Sequence, residues 1–342
     1  MVKLNGKGMK NNSAWQLGIG TVCRVIFGTA VALLGLLIVF LFVKSDFEKE
    51  DVKLVSALLC IFIAGVKKTV KWDWSDMMKG IDGNVSCKDT PFTMWYENIV
   101  FQSSDYERKI KEKVARTVEK FRTNELYDKM ANLPVEDFIT TNYDYAFDKA
   151  LKANGYVFCK SESYGKEKRY NLYRCRVYKN QKGSVKRIWP IHGECNYPRT
   201  LMLGYEQYGG QLREISSWVR SHYKIVSNVD GKKLTRELSP HSDKSSWLRL
   251  FFCSNVHFVG FGFSFDEMDI WWLLFKRRKI MLQHKEIDIQ NELFLYCKKR
   301  NPQSTEERIL ENLGVRLKPY DVGGENEYMK LYDDVLLGLG RL

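Results

Sequence analysis

The apolar positions of this chain fall into two regimes. Near the N-terminus they are continuous: Val25 to Val43 (VIFGTAVALLGLLIVFLFV) carries no charge across 19 residues. As a helix that run spans about 28 Å, close to the thickness of a bilayer core. It is long for the apolar core of a signal peptide, and it predicts a membrane helix within an N-terminal segment of residues 1–45. A second run, Leu54 to Val66, has 13 residues, and two readings stand. Its length fits a buried strand or core helix, whereas the flanking charges fit a second span at 52–70 that closes a hairpin. Lys3, Lys7, Lys10 and Arg24 precede the first run, DFEKED separates the two, and Lys67, Lys68 and Lys71 follow. A hairpin would leave both ends, and the rest of the chain, facing the cytoplasm.

From Trp72 onward short apolar runs alternate with helical periodicity, the pattern of an α/β domain over residues 54–342. Ile110, Val114, Val118 and Phe121 share one face of a predicted helix from Glu107 to Phe121, with Ser104-x-x-Glu107 ahead of it as a capping box. FIT (Phe138–Thr140) reads as a strand end and YAFDKAL (Tyr145–Leu151) as the helix after it. VHFVGF (Val256–Phe261) is a strand entering a Gly-containing turn, and FDEMDIWWLLF (Phe265–Phe275) starts a helix with acids in its first turn. The tail predicts a strand at Glu292–Cys297, a helix with a Ser304-x-x-Glu307 box stopped at Gly314, a strand at Val315–Tyr320 and a closing helix from about Glu325.

Composition adds a bias toward anionic partners. Lys and Arg number 54 against 41 Asp and Glu, a net charge of +13, which favours nucleotides, nucleic acid or acidic headgroups. Nine basic residues and one acid lie between Lys166 and Arg187, interleaved with Tyr170, Tyr173 and Tyr178. That combination suits single-stranded nucleic acid, but a solvated β-hairpin accounts for it more simply. KRRK (Lys276–Lys279) reads as the basic C-terminal end of its helix. The eight cysteines form no CxxC pair and no Cys/His cluster at zinc spacing, which argues against a structural zinc and for reduced thiols in a cytoplasm-facing domain.

The chemistry concentrates in three strings: FITTNYD (Phe138–Asp144), PIHG (Pro190–Gly193) and VGFGFS (Val259–Ser264). Each falls at the end of a predicted strand, where open α/β sheets bind nucleotides. Each also has a plain local reading. Asn142 and Asp144 suit turns and helix caps, with Asp144 placed to cap the helix at Tyr145. His192 alone fits a hydrogen-bonded core histidine, and a Gly-rich turn before a helix is a general phosphate and ribose cradle. Their order and combination carry the specificity.

In that order the three strings resemble the sirtuin-like family, more closely its bacterial branch of NAD-consuming domains found in anti-phage defence, over roughly Leu54 to Leu337. The resemblance implies a Rossmann-like, mostly parallel sheet with flanking helices and helical insertions, and NAD as substrate. It assigns Asn142 to the nicotinamide ribose and water, Asp144 to the nicotinamide end and His192 to the catalytic base. Thr141 joins the cofactor-binding set, and Gly260, Gly262 and Ser264 hold the adenosine ribose. Residue types agree with the chemistry: cleaving the nicotinamide–ribose bond builds positive charge on the sugar and calls for a base near its hydroxyls or the attacking water. The family's opening Gly-Ala-Gly-Val-Ser loop is matched by Ile63-Ala64-Gly65-Val66-Lys67, so Ala64, Gly65 and Lys67 are the pyrophosphate candidates. Ile63 stands there where a glycine would let the backbone approach phosphate; Lys67 either contributes a charge contact or marks a crippled loop. The protein-deacylating members' zinc module is absent, which favours an NAD glycohydrolase with water as acceptor and no metal. The expected partners are NAD, membrane lipid through the N-terminal helix, and a second copy or a partner defence protein, with nucleic acid disfavoured. A nucleotide sensor without turnover and an ADP-ribosyltransferase or protein deacylase are the rivals.

Overall fold

The structure, a computed structural model, describes residues 38–41, 90–103, 106–121, 123–162, 168–222, 246–283, 289–323 and 327–341. Its spine is an eight-stranded sheet: β1 (Ile38–Leu41), β2 (Asp137–Thr140), β3 (Val157–Glu162), β4 (Cys175–Lys179), β5 (Val185–Pro190), β6 (Val256–Val259), β7 (Leu293–Lys298) and β8 (Val315–Tyr320). The spatial order is β3-β4-β5-β2-β1-β6-β7-β8. Strands β2 and β6 are buried along their whole length, as expected where helices cover both faces of a sheet. Those helices are α1 (Phe92–Gln102), α2 (Glu107–Val118), α3 (Glu125–Ala131), α4 (Ala146–Ala153), α5 (Tyr205–His222), α6 (Trp247–Cys253), α7 (Met268–Gln283), α8 (Thr305–Asn312) and α9 (Glu327–Leu339).

Register positions the site. Thr140 pairs with Pro190 across the parallel β2–β5 ladder, and Ile38 pairs with both Thr140 and Val259. The carboxyl ends of β5, β2 and β6 therefore lie in one row on one edge of the sheet. Adjacent strands are about 4.8 Å apart, so the ends of β2 and β6 lie about 10 Å apart with β1 between them. The sheet is less parallel than expected: three of its seven pairings are parallel, because β3, β4 and β5 form an antiparallel extension and β1 runs against both neighbours.

The N-terminal expectation needs correction where it can be compared. Ile38–Leu41, placed by the sequence inside a membrane helix, is a strand in the middle of the sheet. A short apolar run suits a strand buried between neighbours as well as it suits lipid, and periodicity cannot separate the two. Among the described residues no helix is long and apolar enough to cross a membrane. The rest of Val25–Val43, the run Leu54–Val66, and with it Ala64, Gly65 and Lys67, lie outside the described residues.

Two hydrophobic clusters hold the layers. The larger spans both faces of the sheet and includes Phe138, Trp189, Phe258, Leu274 and Leu336; burying each such side chain contributes about 1.5–3 kcal/mol. The smaller joins Trp95, Tyr96 and Ile99 of α1 and Ile110, Val114 and Val118 of α2 to Tyr143, Cys195, Leu201 and Leu203. It seats a two-helix layer on the loops that follow β2 and β5. The α2 face is the predicted one, but the helix starts after Tyr106, whose side chain does not cap it, and ends at Val118; Ser104 of the expected box lies outside the described residues. The Ser304/Glu307 box does form, and Gly314 stops α8 with φ +85°.

The basic stretch folds as the expected β4–β5 hairpin, but it is solvated only at its tip, where Lys179 and Lys182 are exposed; Arg174, Arg176 and Lys186 are buried. Arg176 grips Asp148 of α4 through Nε and Nη2 at 2.7 and 2.8 Å and reaches Glu194 at 2.5 Å. Tyr178 donates to Asp148 at 2.6 Å, Tyr145 to Glu194 at 2.9 Å, and Arg176 lies over the Tyr145 ring. Lys186 donates to the carbonyls of Leu133 and Val135, and burial pulls its pKa down to about 8. These three charges are committed to the interior, while Lys168, Lys179 and Lys182 remain exposed. KRRK likewise lies within α7, which continues to Gln283, and Arg277 is buried against Asn291. Replacing Arg176 with Ala removes the guanidinium shared by two buried carboxylates, leaving Asp148 with Tyr178 and Glu194 with Tyr145 and Arg174; a loss of about 3 kcal/mol is expected, read as a lower urea midpoint at unchanged slope.

Candidate active site

Three loops converge on the row of strand ends. After β2, the Asn142 N–H donates to Thr140 Oγ1 at 2.9 Å, a local turn that leaves Thr141, Asn142 and Asp144 buried. The Asn142 Oδ1 is buried and has no hydrogen-bond partner among the described residues, an arrangement that costs about 1–3 kcal/mol unless a ligand supplies a donor. Asp144 Oδ1 accepts from the Ala146 N–H at 2.7 Å, a local turn bond just ahead of α4, whose N-cap position is Tyr145 and not Asp144. Burial, opposed by that bond and reinforced by Asp148, raises its pKa to about 6. Tyr143 donates to the Met202 carbonyl at 2.5 Å, and the Cys195 N–H donates to the Tyr143 carbonyl at 2.8 Å. These bonds tie the β2 loop to the β5 loop.

After β5, the chain turns at Gly193, whose φ is +98° and whose missing Cβ would lie 2.2 Å from the Thr200 carbonyl oxygen. This close approach explains the glycine after His192. The His192 side chain is fully buried. Its Nε2 lies 2.9 Å from Asp269 Oδ2 and its Nδ1 3.6 Å from Glu267 Oε2. Tyr208 of α5 donates to Glu267 at 3.3 Å and packs edge-on against the His192 ring. Burial alone would lower the imidazole pKa, but Asp269 and Glu267 outweigh it and leave it raised. Burial, eased by His192 and aggravated by Asp269, raises Glu267 to about 7.

After β6, the turn uses positive φ at Gly260 (+74°) and at Phe263 (+49°); a non-glycine residue in that region is uncommon. Gly262 is exposed and Ser264 half-buried. Ser264 Oγ and Asp266 bond each other, and Asp266 also accepts from the Phe92 and Thr93 N–H groups at 3.2 and 3.3 Å and from Thr93 Oγ1 at 2.7 Å. The turn is thus latched to the start of α1.

The structure brings the β2, β5 and β6 motifs to one edge, as expected. Sequence reasoning missed Glu267 and Asp269, reading the acids of FDEMDI only as helix-start charges. Asp269 does bond the Ile270 N–H in the first turn of α7, but Glu267 and Asp266 precede the helix. The available signal was three acids in four positions beside a glycine turn, more than one helix start needs. His192, Glu267 and Asp269 offer donor atoms within 4.8 Å of one another. The His192 nitrogens face the two carboxylates, with a hydrogen bond to Asp269 and an ion-pair contact to Glu267, so the three side chains form one buried acid–base cluster.

An open sheet whose binding loops emerge side by side from the carboxyl ends of its inner strands defines a Rossmann-like nucleotide-binding domain. The SIR2-like domain family matches residues 136–318, just over half of the 342 residues, and the chain belongs to it. SIR2-like domains are typically NAD-dependent enzymes, which ties the site to NAD in the broad sense. A comparison with curated protein sequences finds no match.

Two outcomes are expected. Gly193→Ala forces a side chain into the Thr200 backbone at a positive φ and is expected to cost about 3 kcal/mol, seen as a lower thermal midpoint. Folding raises the Glu267 pKa from 4.5 to about 7, so the native state keeps a proton that the unfolded chain releases. That contribution is full below about pH 4.5 and is lost as pH rises through about 7. Glu267→Gln should therefore flatten the fall of stability across this window, by up to about 1.4 kcal/mol per pH unit, measured by urea titration at several pH values.

Proposed function

We propose that this protein is an NAD glycohydrolase: water adds to the ribose carbon as the nicotinamide–ribose bond breaks, giving nicotinamide, ADP-ribose and a proton. The observation that carries the reading is the buried, unpartnered Asn142 Oδ1, an acceptor suited to a ribose hydroxyl or the attacking water. It follows β2, whose end shares a row with the strands leading to the His192 cluster and the Gly260–Ser264 turn. NAD fits these residues: Asn142 holds the ribose side, Asp144 and Thr141 the nicotinamide end, and Gly260, Gly262 and Ser264 the adenosine ribose. The His192 cluster supplies the base. The buried surroundings strengthen each of these polar contacts.

Membrane attachment, a cytoplasm-facing domain and a role in anti-phage defence with a second copy or partner protein form the outer frame of this proposal. The first two rest on the uncharged run from Val25 and its basic flanks, the last on the family resemblance. Ile38–Leu41 in the sheet count against a span that uses the whole run.

Purified full-length protein incubated with NAD is expected to release nicotinamide without added protein. Asn142→Ala and His192→Ala are each expected to lower kcat about 10²-fold or more. Absence of release under every activating condition would support a nucleotide sensor, and release that requires an added protein acceptor would support a transferase.

A further inference from the structure

Two buried acceptors near the carboxyl ends of β2 and β5 have no hydrogen-bond partner among the described residues: Asn142 Oδ1 in the loop after β2 and Gln211 Oε1 on α5. Gln211 is 1 % exposed. One turn earlier on the same helix, Gln207 accepts from the Leu203 and Gly204 N–H groups and donates to Glu107, so both ends of its amide are used. Gln211 uses only one end, its Nε2 donating to the Ile191 carbonyl at 3.3 Å. Turning the amide over gives no relief, because a carbonyl only accepts and two oxygens would then face each other.

The bond to Ile191 fixes where this amide stands. Strands β2 and β5 are parallel with Thr140 beside Pro190, and the ladder runs one bond further, from the Ile191 N–H to the Thr140 carbonyl at 2.9 Å. In a continued parallel ladder the Ile191 carbonyl would next accept from the Asn142 N–H. That N–H turns back to Thr140 Oγ1 instead, and Gln211 Nε2 takes the acceptor it leaves. The Gln211 amide thus closes the ladder at the point where Asn142 departs from it. Both unpartnered oxygens flank the same Thr140–Ile191 step.

We infer that Gln211 is a substrate-binding residue whose Oε1, together with Asn142 Oδ1, accepts from the two vicinal hydroxyls of the nicotinamide-side ribose. The inference rests on the NAD reading of the site. Two neighbouring acceptors call for a ligand with two neighbouring donors. The phosphates of NAD offer acceptors only, whereas a ribose presents adjacent hydroxyls, and Asn142 marks the sugar next to the nicotinamide. A ligand without that sugar leaves both oxygens unpaired and is disfavoured.

The test is calorimetric titration of full-length protein with ADP-ribose and with ADP, which lacks the terminal ribose. Neither ligand carries nicotinamide, so both affinities are read without turnover. Wild type is expected to bind ADP-ribose at least about 10-fold more tightly than ADP. Gln211→Met, which keeps the side-chain length and removes the acceptor, should lose most of that preference with its affinity for ADP kept. A purely structural Gln211 would weaken both ligands alike or neither; either result overturns the assignment, as does a wild type that binds the two equally or binds neither. Should Gln211→Met fail to fold, Gln211→Asn decides by withdrawing the acceptor one methylene: a lowered preference supports the assignment and an unchanged one overturns it. Nicotinamide release from NAD by the wild type decides the glycohydrolase reading separately. A Gln211-dependent preference for ADP-ribose without release overturns that reading and keeps the ribose site, and release with the preference intact in Gln211→Met does the reverse.

Discussion

The hydrogen bond between His192 and Asp269 is the joint on which the candidate site depends. His192 belongs to the loop after β5 and Asp269 to the helix after β6, strands separated in the sheet by β2 and β1. Burying both groups in isolation would cost several kcal/mol per charge. Placed 2.9 Å apart and backed by Glu267 and Tyr208, they are paired instead. The pairing requires β5, β2, β1 and β6 to keep their register, so sheet topology and acid–base chemistry constrain each other.

A second buried charge network stands behind the first. Asp148, Arg176 and Glu194 join α4, β4 and the loop after His192. Glu194 takes bonds from Arg176 and Tyr145, and its own N–H donates to Thr200 Oγ1 at 3.1 Å. The same loop carries the Gly193 turn that leans on the Thr200 carbonyl. The segment after His192 is thus held by charge on one side and by backbone contact on the other, which is how a buried imidazole keeps its orientation without a helix or strand of its own.

Features set by local physics were legible in the sequence. The Ser304/Glu307 box, the Gly314 stop and the strand Val315–Tyr320 depend on neighbours a few residues away, and they form as read. The motif strings were legible because strand ends followed by turns leave a compositional trace. Partners distant along the chain left none: nothing near Arg176 announces Glu194 or Asp148, so three buried cations were read as a solvated run. Glu267 and Asp269 were hidden because helix-start acids and site acids look alike until His192 is placed beside them. Ile38–Leu41 was misread because a strand enclosed by a sheet and a helix enclosed by lipid draw on the same residues.

The latch between Asp266 and α1 bears on how the domain holds together. Helix α1 has no side-chain cap from its own neighbourhood, and Pro91 at its N-cap has none to offer. The acceptor for its first N–H groups comes from Asp266, 174 residues further along the chain. Closing a loop of that length is entropically expensive and slow relative to local contacts. The first turn of α1 therefore has its side-chain acceptor only where β6 and the turn after it are in place. The two-helix layer on the β2 and β5 loops is thus anchored through the turn after β6, and the wall of the site depends on its floor.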